Sequence, residues 1–233
     1  GGAAYVQDSY DVHTFAPSFE EAILRNPKLE PLYLFGGNDP VKELQNKFLQ
    51  GQAVRIDEVV EEGSFQAGSI EGEAFLLSGH SYHQLALKVD GILYAADSYF
   101  GEEALRKHKI PYITDADLTL KSLERLKSFK VEGAVPGHGP FEKEPAQTIQ
   151  KNIDVHREIL DWLLSYLEQN KGASHEQVVA DMCANYEVKA PQLSQWLLYR
   201  TAVTAYLVAL KKDQQIYDEI TGHRWTFYPN TKS

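Results

Sequence analysis

Three short segments carry side chains that could do chemistry: Ser78-Gly79-His80-Ser81-Tyr82-His83, Ala96-Asp97-Ser98 and Pro136-Gly137-His138-Gly139-Pro140. Each places an imidazole or carboxylate just beyond an apolar run. Two or three imidazoles and a carboxylate brought together make a borderline-soft metal site, for which zinc is the default ion. A lone loop histidine is commonly only a polar loop residue. Three of them, each at a strand end and beside small residues, carry the metal expectation. A competing nucleophile pattern, Gly79-His80-Ser81-Tyr82-His83, nearly matches G-x-S-x-G but ends in His83 and runs into an alternating strand, where that elbow needs a final glycine and a helix. His13, His108, His156, His175 and His223 are scattered, with His156 on an apolar seam. Cys183 sits beside Met182 as packing, and the Glu20-Glu21, Glu61-Glu62 and Glu102-Glu103 pairs read as solvated faces. No glycine-rich phosphate loop is present.

The elements that must position these residues follow from periodicity. Gln84 to Val89 alternates, Asp90-Gly91 is a favoured two-residue turn, and Ile92 to Ala96 returns. Pairing about that turn sets Val89 opposite Ile92 and Gln84 opposite Asp97, so Asp97 shares an end of the strand pair with His83 and the His80 loop. Thr114 to Lys130 is predicted as an N-capped amphipathic helix carrying Leu120, Leu123 and Leu126, and Val131 to Val135 as a strand ending at His138. Strand, helix and strand in that order indicate an α/β layer, whose sites form at the carboxyl ends of strands.

Beyond Glu144 the chain changes to long helical patterns. Pro145 opens a helix with a seam of Ile149, Ile153, His156, Leu160, Leu163 and Leu167. Ser174 and Gln177 form a capping box for a second helix. A third runs from about Gln192 to Lys212, burying Leu193, Trp196, Leu197, Val203 and Leu207, and Gln214 to Tyr228 is predicted as a hairpin turning at Thr221-Gly222. Three helices and a terminal hairpin outline a winged helix. Two domains are expected, 1–143 and 144–233.

Composition bounds the function. The 233 residues are 43% hydrophobic and 24% charged, with a formal net charge of −10, which excludes collagen-like, disordered and coiled-coil classes. The charge splits as −8 over residues 1–140 and −2 over residues 141–233, a poor match to a polyanion. The single cysteine excludes an internal disulfide and a cysteine-based zinc cluster. No apolar run approaches the roughly 20 residues of a membrane span, and no signal pattern opens the chain, so a soluble cytoplasmic protein is expected.

At the three segments the sequence resembles the metallo-β-lactamase superfamily, whose pattern runs from a ligand His in a P-G-H-like turn, through a bridging Asp after an apolar strand, to a ligand His in P-G-H-G-P. Ser78-Gly79-His80 departs from the first at the proline, Ala96-Asp97 stands where Gly-Asp is commoner, and Pro136 to Pro140 matches fully. The helices and hairpin that follow resemble the winged-helix tail of one branch. The superfamily's H-x-H-x-D-H signature does not occur, and the chain begins with Gly1-Gly2, a pair usual just after that signature. The resemblance therefore implies an αββα sandwich whose first strands precede Gly1. It also implies a dinuclear hydrolase holding two zinc ions, or other divalent transition metals. His80 would serve one ion, Asp97 would bridge both, and His138 would bind the second. A metal-bridging hydroxide would attack an ester, thioester or lactone of a small molecule. His83 is assigned a catalytic place beside them, orienting a ligand or the substrate, with a strand-start polar residue as the alternative. The turn-rich aromatic stretch from Leu29 to Gly51 offers Tyr33 and Phe35 as substrate-binding residues, or as surface packing. Tyr99 would line the pocket or fill the core. The partner is a small-molecule substrate, with a homodimer left open. An endoribonuclease or phosphodiesterase is the runner-up, opposed by the few cations (Arg200, Lys211, Lys212) of the third helix. A metal-free degenerate interaction module is the third expectation.

Overall fold

Short alternating runs separated by glycine-rich turns give small sheets in the first half of the chain, and uninterrupted apolar seams give long helices in the second. A computed structural model of the protein describes residues 2–230. It opens with α1 (Gly2–Ser9), β1 (Phe15–Pro17), α2 (Glu20–Arg25), α3 (Leu29–Leu34), a 3-10 turn (Lys42–Leu44) and β2 (Glu58–Val60). β1 and β2 pair in parallel, Phe15 against Glu58, and Ala4, Ala16, Val54 and Ile56 form a small core of their own.

The main sheet comprises β3 (Gly63–Ala67), β4 (Ile70–Leu76), β5 (Leu85–Val89), β6 (Ile92–Ala96) and β7 (Gly133–Pro136), hydrogen-bonded in that order. Its first four strands are antiparallel. β7 joins β6 in parallel after a crossover through α4 (Glu102–His108) and α5 (Ala116–Lys127). The hairpin has the register that its turn dictates, Val89 opposite Ile92, with Asp90 (φ 48°) and Gly91 (φ 79°) both left-handed, as a type I′ turn requires. α5 is shorter than the helix predicted over 114–130. Asp115 is its cap, accepting from the Leu118 N–H at 3.0 Å, while Thr114 is spent on the Gly79 carbonyl. The strand predicted over 131–135 starts at Gly133, since Val131 packs as a side chain against the sheet core.

The second half holds α6 (Ala146–Gln169), β8 (Ala173–Ser174), α7 (His175–Asn185), α8 (Leu193–Lys212), β9 (Ile216–Thr221) and β10 (Arg224–Pro229), with sheet order β8-β10-β9. Ser174 caps α7 through the Gln177 N–H. The hairpin turns at Gly222-His223, both left-handed, one residue later than predicted, because Thr221 is still paired with Arg224. Ile159 occupies the buried seam of α6, and Leu160 is only half-buried.

α6, which starts just after the division expected at 143/144, contributes to two cores. Ile149 and Ile153 pack with Leu77, Leu93, Leu123 and Ala134 of the sheet layer, whereas Ile159, Leu163 and Leu167 pack with α7 and α8. Leu193 and Trp196, expected to be buried, are half-buried beside Leu34 and Leu44 of the α3 segment. Among the described residues no helix is long and apolar enough to cross a membrane.

Candidate metal centre

The His80 loop leaves β4 through Ser78 and Gly79. Gly79 has φ 139°, and a Cβ there would lie 2.3 Å from Thr119 Oγ1, so only glycine lets the loop lie on the start of α5. The Gly79 carbonyl accepts from Thr114 N (2.7 Å) and Asp115 N (3.1 Å), and Ser122 Oγ donates to the Ser78 carbonyl (2.7 Å). The Asp97 loop leaves β6 at a register shift, and its turn is closed by Ser98 N to the Ala95 carbonyl. Buried Gln84 donates to Ser98 Oγ (2.8 Å). Buried Asn152 of α6 grips Phe100 from both sides, accepting from its N–H (2.9 Å) and donating to its carbonyl (2.8 Å). Gly101 N donates to the His138 carbonyl (3.1 Å), tying the third loop to the second.

These contacts bring His80, Asp97 and His138 together, each histidine on its own carboxylate oxygen. His80 Nε2 lies 3.5 Å from Asp97 Oδ2, and His138 Nε2 lies 3.5 Å from Asp97 Oδ1. The Nδ1–H of His80 donates to the Tyr112 carbonyl at 3.0 Å, which assigns the lone pair to Nε2. Burial holds His80 below the usual imidazole range, only partly offset by Asp97 and the Tyr112 carbonyl. A neutral imidazole lone pair therefore faces a carboxylate oxygen. Asp97 Oδ1 is itself buried without a hydrogen-bond partner among the described residues. Two acceptors opposed in this way repel each other, and a divalent ion coordinated by both would turn that repulsion into attraction. The donor chemistry thus suits an ion between His80 and Asp97, with His138 Nε2 at the other oxygen of the same carboxylate. The set is short, however, giving each position one imidazole and one oxygen, and among the described residues no group of three or more side chains closes a complete cage.

Other expectations fall differently. His83 bonds through Nδ1 to Ser18 Oγ (2.7 Å), and its N–H donates to Glu20 Oε1 (3.1 Å); it makes no hydrogen bond to His80, Asp97 or His138 among the described residues. These contacts tie His83 to the β1–α2 loop. The ring of Tyr99 points into the sheet core, 1% exposed, with its hydroxyl donating to Glu142, so of its two expected places, pocket wall or core, it takes the core. Phe35 packs with Leu34, Leu44 and Leu197 of α8, just before a turn through left-handed Gly36 and Gly37. Tyr33 does line a cavity of about 490 Å³ whose wall includes His80.

Two residues at the site were missed. His108, at the end of α4, lies 6.4 Å from His138 between ring centroids, with Phe100 against both; burial, then Lys107, lowers its pKa. Nothing in its spacing marks it. Asn152 could have been found as an amide beside Ile149 and Ile153 on a buried seam.

No protein-family profile matches the chain, and no curated protein matches it. Solved structures do. A metallo-beta-lactamase family protein from Thermus thermophilus superposes with a TM-score of 0.66 at 14% identity, over 94% of this chain and 72% of that one. A beta-lactamase domain protein from Burkholderia ambifaria superposes with a TM-score of 0.64 at 16% identity, over 96% of this chain and 66% of that one, just under two thirds of its length. At such identity the likeness is one of architecture: the chain has the metallo-β-lactamase fold.

Proposed function

We propose that the protein is a metal-dependent hydrolase of a small ester, thioester or lactone, with His80, Asp97 and His138 contributing ligands to two divalent ions, zinc first. The observation that carries this reading is the pair of Nε2 atoms facing the two oxygens of one carboxylate. Ions held there supply Lewis acidity, lowering the pKa of water and polarising a scissile carbonyl. The chain's own part is positional. The Tyr112 carbonyl holds the His80 tautomer, Asn152 and Gly101 hold the backbone after Asp97, and α5 holds the turn before His80.

Two observations favour a small substrate over a nucleic acid. The net charge is −10, and the cations of α8 are already engaged: Arg200 with the Leu34 carbonyl (2.7 Å), Lys211 with Asp218 (2.5 Å) and Lys212 with Asp115 (2.8 Å). The order helix, strand, helix, helix, hairpin from α6 to β10 supports a winged helix that serves as a cap or interface rather than as a groove reader.

Zinc titration by calorimetry tests the reading. Asp97→Asn is expected to weaken zinc binding by roughly a hundredfold or more, since a neutral amide bridges two cations poorly, and to abolish ester turnover. Equal zinc affinity in the variant and the parent would refute it.

A further inference from the structure

The cavity beside His80 lies between α2, α3 and the His80 loop, and the metal centre leaves it unexplained. Its volume of about 490 Å³ is that of a small-molecule site. Ile23, Leu29, Leu32 and the ring of Tyr33 supply apolar walls. Its charged lining is of one sign: Glu20 and Glu30 are present, and no Lys or Arg is found among the described residues that line it. Tyr33 donates to Glu30 Oε1 at 2.7 Å, so the phenol is satisfied within the wall. Tyr112 joins the cavity to the metal centre. Its ring lines the space and meets His80 edge-on at 5.3 Å, and its carbonyl holds His80 Nδ1.

We propose that this cavity binds the uncharged aliphatic chain of the substrate and rejects anionic ones, so that the reacting carbonyl of a medium-chain acyl ester, thioester or lactone rests at His80 and Asp97. The walls bury methylenes, the two carboxylates disfavour a negative tail, and His80 fixes which end faces the ions. This substrate class rests on the hydrolase reading above, but binding of the chain can be measured without turnover.

Methyl ketones are suitable probes, because they carry a carbonyl and no leaving group. Calorimetry with 2-butanone, 2-hexanone and 2-octanone, on the zinc-loaded and the zinc-free protein, is expected to show affinity rising about fourfold per added methylene until the cavity is full. Ile23→Trp should flatten that gradient by filling the space. Leu29→Trp, at a half-exposed wall position, repeats the test if the first variant does not fold. Glu30→Gln should tighten octanoate several-fold and leave 2-octanone unchanged. Ketone affinity independent of chain length, or octanoate binding as well as 2-octanone in the parent, would overturn the proposal. A ketone gradient without hydrolysis of the matching 4-nitrophenyl esters would leave the cavity assignment standing and remove the hydrolase reading. Ester hydrolysis with no dependence on chain length would do the reverse.

Discussion

Ala96 stands immediately before Asp97 with φ 47°, a left-handed conformation that costs a Cβ-bearing residue roughly 1–2 kcal/mol. Glycine would adopt it freely, which gives a physical reason for the Gly-Asp pair commoner at this position in the superfamily that the sequence resembles. The strained residue is held from the other side, where Gly137 N donates to its carbonyl at 2.7 Å. Ala96→Gly is therefore expected to raise stability by about 1 kcal/mol, the relief of strain exceeding the added freedom of the unfolded chain; denaturant midpoints measure it. Gly137→Ala should do the opposite and loosen zinc as well, because its Cβ would fall 2.2 Å from Asp97 Oδ1. If the alanine left zinc affinity intact, the tight apposition of the two loops would not matter to the site.

Among the elements, α6 is the one on which most depends. Asn152, in its first half, grips the loop after Asp97, and its second half builds the helical core. Between them lies His156, 2% exposed, sharing a 2.7 Å hydrogen bond with Tyr206 of α8. Burial lowers its pKa to about 4. The unfolded chain takes up this proton near pH 6.5 and the folded one only near 4. Stability is thus unaffected above about 6.5 and is lost as pH falls from there toward 4, by up to about 3 kcal/mol from this one group. Denaturation midpoints of His156→Gln across that window should show a shallower acid loss than the parent. Parallel pH profiles would mean that His156 protonates in place.

Over the whole molecule, charge and assembly weigh against a polyanion partner. Lys211 ties α8 to β9 and Lys212 ties it to the cap of α5, so using them for phosphate would first break two ion pairs, the second of which joins the two halves of the fold. RNA binding followed by fluorescence anisotropy is expected to be weak at low salt, with no steep fall toward physiological salt, and substitution of Arg200, Lys211 and Lys212 should leave that slope unchanged. A steep salt slope that flattens on their removal would restore the endoribonuclease reading. A helix that belongs to both cores, with the Lys212–Asp115 pair beside it, predicts that the halves unfold together rather than in sequence.

Local features of the chain were legible because they repeat at short range. Asp90-Gly91 sets a hairpin register through the hand of its turn, the seam of α6 follows from 3.6-residue spacing, and Pro136 to Pro140 marks the His138 loop through residue types that few other loops need. Those features sufficed for the fold class and for placing His80, Asp97 and His138 at one end of the sheet. What they could not reach depends on segments distant in sequence. His83 turns to Ser18, Phe35 turns to Leu197, and Tyr99 turns inward to Glu142, each choice made by a loop path between elements. His108 reaches His138 only because α4 folds back across Phe100. Periodicity reports which face of an element is buried, while packing between non-adjacent elements decides what that face meets. For this reason the convergence of His80, Asp97 and His138 could be expected from the chain, and the apolar cavity beside His80 emerged only from the tertiary structure.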